Sequence, residues 1–167
     1  MVLIDPRGKK YGPRKPKDYL NNTIVWNQPY RPGKVVVIGY KGGKEVCRDS
    51  IRTSKPVATH YTLTPDRSTL KADGQDLSFI SLQLFDENGV PVRINDRMVT
   101  VRVEGDGRLM GIDSGEMRRE LRFDSHSLPT YFGKCQIVVQ AGRIKGTLKV
   151  IVQVEGLPEQ VLNIECL

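Results

Sequence analysis

TLTPDRSTLKADGQDLSFISLQLFDENGVPV, residues 62–92, decides how the chain is read. From Leu77 to Phe85 the side chains alternate. Leu77, Phe79, Ser81, Gln83 and Phe85 fall on one face, and Ser78, Ile80, Leu82 and Leu84 on the other. A period of two with one apolar face is what a strand packed on a second sheet requires, because successive Cβ atoms point to opposite sides of the pleat. Lys71-Ala72-Asp73-Gly74-Gln75 before it and Asp86-Glu87-Asn88-Gly89 after it supply turn chemistry, with Asn-Gly suited to positive φ. The stretch reads as the opening two strands of a β-sandwich.

Working outward, strands are predicted at 57–64, 77–85, 98–104, 108–112, 133–140, 146–155 and 160–166. Val99, Val101 and Val103 alternate with Thr100, Arg102 and Glu104, and Leu148, Val150, Val152 and Val154 alternate with Lys149, Ile151 and Gln153. Six or seven short strands between turn signals match a sandwich of roughly 100 residues. No long segment carries a 3.6-residue apolar period, so very little helix is expected.

The first 55 residues are different. An apolar start gives way to a Pro, Gly and Lys rich stretch up to residue 19, which is read as non-helical. Residues 20–26 (LNNTIVW) resume strand character, 27–33 form a turn, and 34–40 (KVVVIGY) are β-branched and short enough for a buried strand. Lys41-Gly42-Gly43-Lys44 makes a tight hairpin, and 45–53 return with Val46 and Ile51 as apolar marks. Four short strands are too few for a seven-stranded sandwich. Ser54-Lys55-Pro56 is the best boundary, giving domains at 1–55 and 56–167.

Charge follows the same division. The net +7 resolves into 13 Lys and Arg against 4 Asp and Glu in residues 1–55, and 13 against 15 in the remainder. The basic residues Arg7, Lys9, Lys10, Arg14, Lys15 and Lys17 are interleaved with Pro and Gly and do not lie on a helix that could enter a groove, so a nucleic-acid partner is not expected. No apolar run approaches the roughly 18 residues of a membrane helix, so neither is a membrane partner. The start, MVLIDPRGKK, places its basic residues after the apolar patch, the reverse of a secretory signal.

Cys47, Cys135 and Cys166 form no CxxC pair on which zinc could build. Cys135 and Cys166 sit in apolar strand-like runs, where a buried free thiol is the usual reading; a disulfide is the alternative in an exported protein, and the odd count then leaves one thiol over. Candidate acid/base residues are Asp106, Asp113, Glu116 and Glu120, within EGDGRLMGIDSGEMRRE. Glycines at 105, 107, 111 and 115 make turn capping the stronger reading, and the spacing does not close a calcium loop. His60 and His126 lie apart, and no nucleophile elbow or phosphate cradle accompanies them. No catalytic residue, metal or cofactor is therefore assigned. Trp26, Tyr30 and Tyr40 are the candidate carbohydrate-binding residues, since exposed aromatics on β-sandwiches stack on sugar rings. The competing reading packs Trp26 under the first domain.

Four phrases carry a resemblance: VWNQPYRPGKVVVIGYKGGKEVCRDSIRTSKP, LTPDRSTLKADGQDLSFISLQLFDENGVPV, VTVRVEGDGRLMGIDSG and YFGKCQIVVQA. In this order and spacing they resemble the C-terminal region of bacterial β-galactosidases of glycoside hydrolase family 2, where a catalytic (β/α)8 barrel is followed by immunoglobulin-like domains. The match covers most of 20–155. It implies an all-β chain: an immunoglobulin-like sandwich at 56–167 preceded by a partial, truncated domain at 1–55. It also implies a strand leading into a hairpin at Asp5-Pro6-Arg7-Gly8-Lys9. The resemblance further implies that the barrel with its acid/base and nucleophile glutamates lies outside these residues, so the implied role is a non-catalytic accessory region. Its expected partners are that barrel, a carbohydrate, and a second copy of the chain through the truncated domain. The parent enzyme is expected to be extracellular or periplasmic. The alternatives are a carbohydrate-binding module and an adhesin-type immunoglobulin-like spacer, which the second half also resembles.

Overall fold

The computed structural model describes residues 1–167 apart from Asn95, 119–121 and Phe123. The described chain divides into two compact units, Met1–Thr53 and Ser54–Leu167.

The first unit is one four-stranded antiparallel sheet. Its strands are β1 (Val2–Ile4), β2 (Lys10–Tyr11), β3 (Lys34–Lys41) and β4 (Lys44–Arg52), in the order β2-β1-β3-β4. The hairpin at residues 5–9 is formed. Asp5 N–H donates to Lys9 O at 3.0 Å, Gly8 adopts φ +82°, and Pro6 sits early in the turn, where its fixed φ is favourable. Gly42 and Gly43, at φ +58° and +78°, make the two-residue turn between β3 and β4, as the sequence predicts.

Two expectations are corrected here. Residues 20–26 are not a strand. Leu20–Asn22 form a 3₁₀ turn with Asn21 and Asn22 at φ +53° and +55°, and the side-chain amides that make Asn tolerant of this region override the β-branched residues that follow. The stretch up to residue 19 is not wholly without helix either, since Pro16–Asp18 make a single 3₁₀ turn with Pro in its first turn.

The second unit is a β-sandwich. One sheet holds β5 (His60–Pro65), β7 (Leu77–Phe85), β11 (Lys134–Ala141) and β9 (Gly107–Asp113) in that order. The other is β10-β8-β12-β13-β6, built from Ser127–Pro129, Met98–Glu104, Gly146–Val154, Gln160–Cys166 and Thr69–Leu70. Every neighbouring pair is antiparallel except β6 with β13. The face predicted from the alternation of residues 77–85 is the one buried: Ser78, Ile80, Leu82 and Leu84 point inward against Val99, Val101, Leu148, Val150, Val152 and Ile164 of the facing sheet. Tyr61 ties the two sheets, its buried hydroxyl donating to Val152 O at 2.7 Å with Pro158 O at 3.0 Å. Asp86 closes the turn after β7. Its carboxylate accepts from Asn88 N at 2.8 Å, Val90 N at 2.9 Å and Lys55 N at 2.7 Å.

The all-β immunoglobulin-like sandwich predicted for the second part is therefore present. Cys135 and Cys166 are buried free thiols as expected, and Cys47 is exposed. Burial, with a smaller contribution from the charge of Asp113, pushes the Cys135 thiol up to about 12.

Candidate functional site

The acidic residues are the first place to look for chemistry. Asp106 lies in the turn between β8 and β9, and Asp113 at the far end of β9. Seven residue steps separate them, roughly 23 Å at about 3.3 Å per residue, whereas the two carboxyl groups of a glycosidase stand about 5–9.5 Å apart. Each is also occupied locally. The Asp106 carboxylate accepts from Ile144 N and packs over Gly142, where a Cβ would meet it at 2.1 Å. Asp113 accepts from Gly115 N at 3.0 Å, and Glu116 accepts from Arg118 Nε at 3.0 Å. Glu120 lies outside the described residues.

The histidines offer no pair. His60 stacks on Phe85 with ring centroids 5.5 Å apart and shares a hydrogen bond with Thr59 Oγ1, while His126 lies beside β10 in the other sheet. Among the described residues no group of three or more His, Cys, Asp or Glu could hold a metal, and no helix is long and apolar enough to cross a membrane.

A concave site does exist in the first unit: a cleft of about 300 Å³. Its floor follows from the sheet register. Leu3 pairs with Val37, and Val35 with Ile51, so the period of two sets Leu3, Val35 and Ile51 on one face, where all three line the cleft. Its wall is the irregular connection from β2 to β3, which carries Trp26, Pro29 and Tyr30. That connection is pinned at its end, with Thr53 N donating to Gly33 O at 3.0 Å and Gly33 N to Thr53 Oγ1 at 3.3 Å. Gly33, at φ +128°, lies so close to Pro6 that a Cβ would stand 2.8 Å from the proline ring.

Trp26 is half-buried and held from one side. The Arg14 guanidinium lies 5.6 Å from its ring centroid and donates to Val25 O. The indole N–H is buried and has no acceptor in the structure. Tyr30 is 78% exposed.

Asp5 is the carboxylate of the cleft. It is 6% exposed and accepts from Arg7 N and Lys9 N, both at 2.9 Å, and from the Tyr11 hydroxyl at 3.3 Å. Burial raises its pKa, but the backbone N–H groups of Lys9 and Arg7, the Tyr11 hydroxyl and the Arg7 charge together outweigh this and hold the group below the usual carboxylate value. Arg31 and Arg52 complete the lining, and neither guanidinium has an ion-pair partner among the described residues.

The structure thus brings together two of the three predicted aromatics. Tyr40 is not at the cleft. It lies five residues beyond Val35 on the same strand, roughly 16 Å away and on the opposite face. Sequence reasoning missed Arg31 and Arg52, which converge only because β4 returns beside the connection from β2 to β3. The basic excess of residues 1–55 was the available signal.

Comparison with known proteins accounts for both units. Residues 62–163 match Glycoside hydrolase family 2 C-terminal domain 5, and residues 3–47 match a domain of unknown function, DUF4982. Beta-galactosidase BoGH2A of Bacteroides ovatus is 37% identical over 163 residues, covering 98% of this chain and 19% of that protein. The crystal structure of a glycosyl hydrolase family 2 member from Bacteroides cellulosilyticus superposes with a TM-score of 0.91 at 28% identity, over 99% of this chain and 21% of that one. A beta-glycosidase from Bacteroides vulgatus gives 0.83 at 26% identity, over 98% and 21%. The chain spans about a fifth of the length of each of these proteins. With the family match covering most of the sandwich unit and the same architecture recurring in these structures, the chain belongs to glycoside hydrolase family 2 and carries that family's C-terminal domain 5.

Proposed function

We propose that this chain is a non-catalytic accessory region whose partner is the catalytic barrel of a β-galactosidase-like polypeptide. The observation that carries this reading is the local commitment of the carboxylates. Asp106, Asp113 and Glu116 are held by turn N–H groups or by Arg118, and Asp106 and Asp113 cap opposite ends of β9. An acid/base pair needs freedom to exchange protons with substrate from two sides of one bond. The purified chain should not hydrolyse a chromogenic β-galactoside. Turnover that co-purifies with the chain through successive columns and is lost in Asp113→Asn would overturn the proposal.

A second reading has its own observation. The cleft beneath Trp26 and Tyr30 combines an apolar floor with an exposed aromatic ring, the combination that takes the C–H face of a pyranose. Under this reading the first unit binds carbohydrate and presents it to the polypeptide that carries it. Saturable quenching or enhancement of Trp26 emission by sugars, absent in Tyr30→Ala, is the expected result.

A further inference from the structure

We propose that the Trp26/Tyr30 cleft prefers an acidic sugar residue, one bearing a carboxylate or a sulfate, over a neutral hexose; this rests on the carbohydrate-binding reading of the same cleft. Its volume of about 300 Å³ lies at the small end of ligand sites, suited to a single saccharide residue more than to a chain of them. Leu3, Val35 and Ile51 beneath and the aromatic wall beside them take the apolar face of a sugar ring. What remains is the charge at the edge.

Arg31 and Arg52 line the cleft from different elements, the connection before β3 and the end of β4, and neither is engaged in an ion pair among the described residues. A guanidinium presents a planar fork that matches carboxylate or sulfate oxygens in a bidentate manner. Arginines placed beside carboxylates elsewhere on the surface are engaged, Arg48 with Glu45 and Arg102 with Glu104 and Glu159, whereas the cleft sets no free carboxylate against these two. The carboxylate that could neutralise the cleft from within, Asp5, is turned to Arg7 N, Lys9 N and the Tyr11 hydroxyl. The net charge of +9 over residues 1–55 adds a long-range field that draws anions.

Trp26 is the single tryptophan of the chain, so its emission reads the cleft directly. The full chain is titrated with galacturonate, galactose 6-sulfate, galactose and inorganic sulfate at low and at moderate salt. Calorimetry runs in parallel to detect binding that leaves the indole silent. The expected result is saturable binding of at least one acidic sugar at least tenfold tighter than galactose, several-fold weaker at the higher salt. That preference should disappear in Arg31→Gln/Arg52→Gln while the thermal transition stays in place. The two acidic arms distinguish carboxylate from sulfate. Equal affinity for galactose and both acidic sugars, unchanged in the double variant, overturns the preference and leaves the sugar-binding reading standing. Inorganic sulfate binding as tightly as the sugars overturns the role of the ring, and no binding by either method overturns both readings.

Discussion

Asp86 is a carboxylate almost sealed from solvent that serves three backbone donors at once. The backbone N–H of Lys55 is the largest influence on it. Desolvation opposes, Val90 and Asn88 N–H and the Lys55 charge reinforce, and the net effect lowers its pKa below the usual carboxylate value of 3.8. A folded-state pKa below the unfolded one means that the anion favours the native state. The stabilisation is complete above about pH 4 and is lost as pH falls through the lower, folded value. Asp66 and Asp73 shift in the same direction, the first chiefly through Phe79 N–H and the second through Gln75 N–H. The urea midpoint of the sandwich unit should therefore stay nearly level from pH 7 to pH 5 and fall steeply below pH 4. Asp86→Asn should lower the midpoint at pH 7 and flatten the acid limb. An acid limb equally steep in the variant would assign the loss to other groups.

At the scale of the element, the strands that period-two alternation made legible are those with one face in a packed core: β7, β8, β11, β12 and β13. Three others were beyond its reach. β6 and β2 have two residues each and β10 has three, too short for any alternation to register, and they exist through ladder partners supplied from elsewhere in the chain. The misreading of residues 20–26 has a different cause, since β-branched composition says nothing of whether a neighbouring strand is there to pair. The candidate site divides in the same way: Trp26 and Tyr30 stood out as aromatics in an otherwise poor segment, while their convergence with Arg31 and Arg52 depends on sheet register.

β4 is a further consequence of register. It pairs with β3 alone and all nine of its residues are exposed, so it is the longer of the two free edges of this sheet, β2 having two residues, and the one that offers the dimer expected from the sequence the most backbone to pair with. Five of the nine, Lys44, Glu45, Arg48, Asp49 and Arg52, are charged, and charge on an edge strand opposes pairing with another copy. Sedimentation at rising concentration should return a monomer. Replacing Lys44, Glu45, Arg48 and Asp49 together by Thr should produce concentration-dependent association, and a wild-type dimer that survives high salt would refute the protective role of these charges.

At the scale of the whole molecule the two units differ most in what they bury. Among the described residues, Leu3 and Ile38 are the apolar side chains fully buried in the first unit, whereas the second buries a continuous cluster running through both sheets. Burial of apolar area is the main stabilising term, and a unit of this size with so small a core is marginal. The units should therefore not unfold as one cooperative body. Trp26 reports the first unit alone, and far-UV circular dichroism is weighted toward the larger sandwich. In a urea titration, the Trp26 emission change should come at a clearly lower midpoint than the loss of β-sheet signal, each transition being separately two-state. An acidic sugar bound in the cleft should move the first midpoint upward and leave the second where it was, because a ligand stabilises only the unit whose native form binds it. Coincident transitions, shifted together by the sugar, would mean that the two units share their stability.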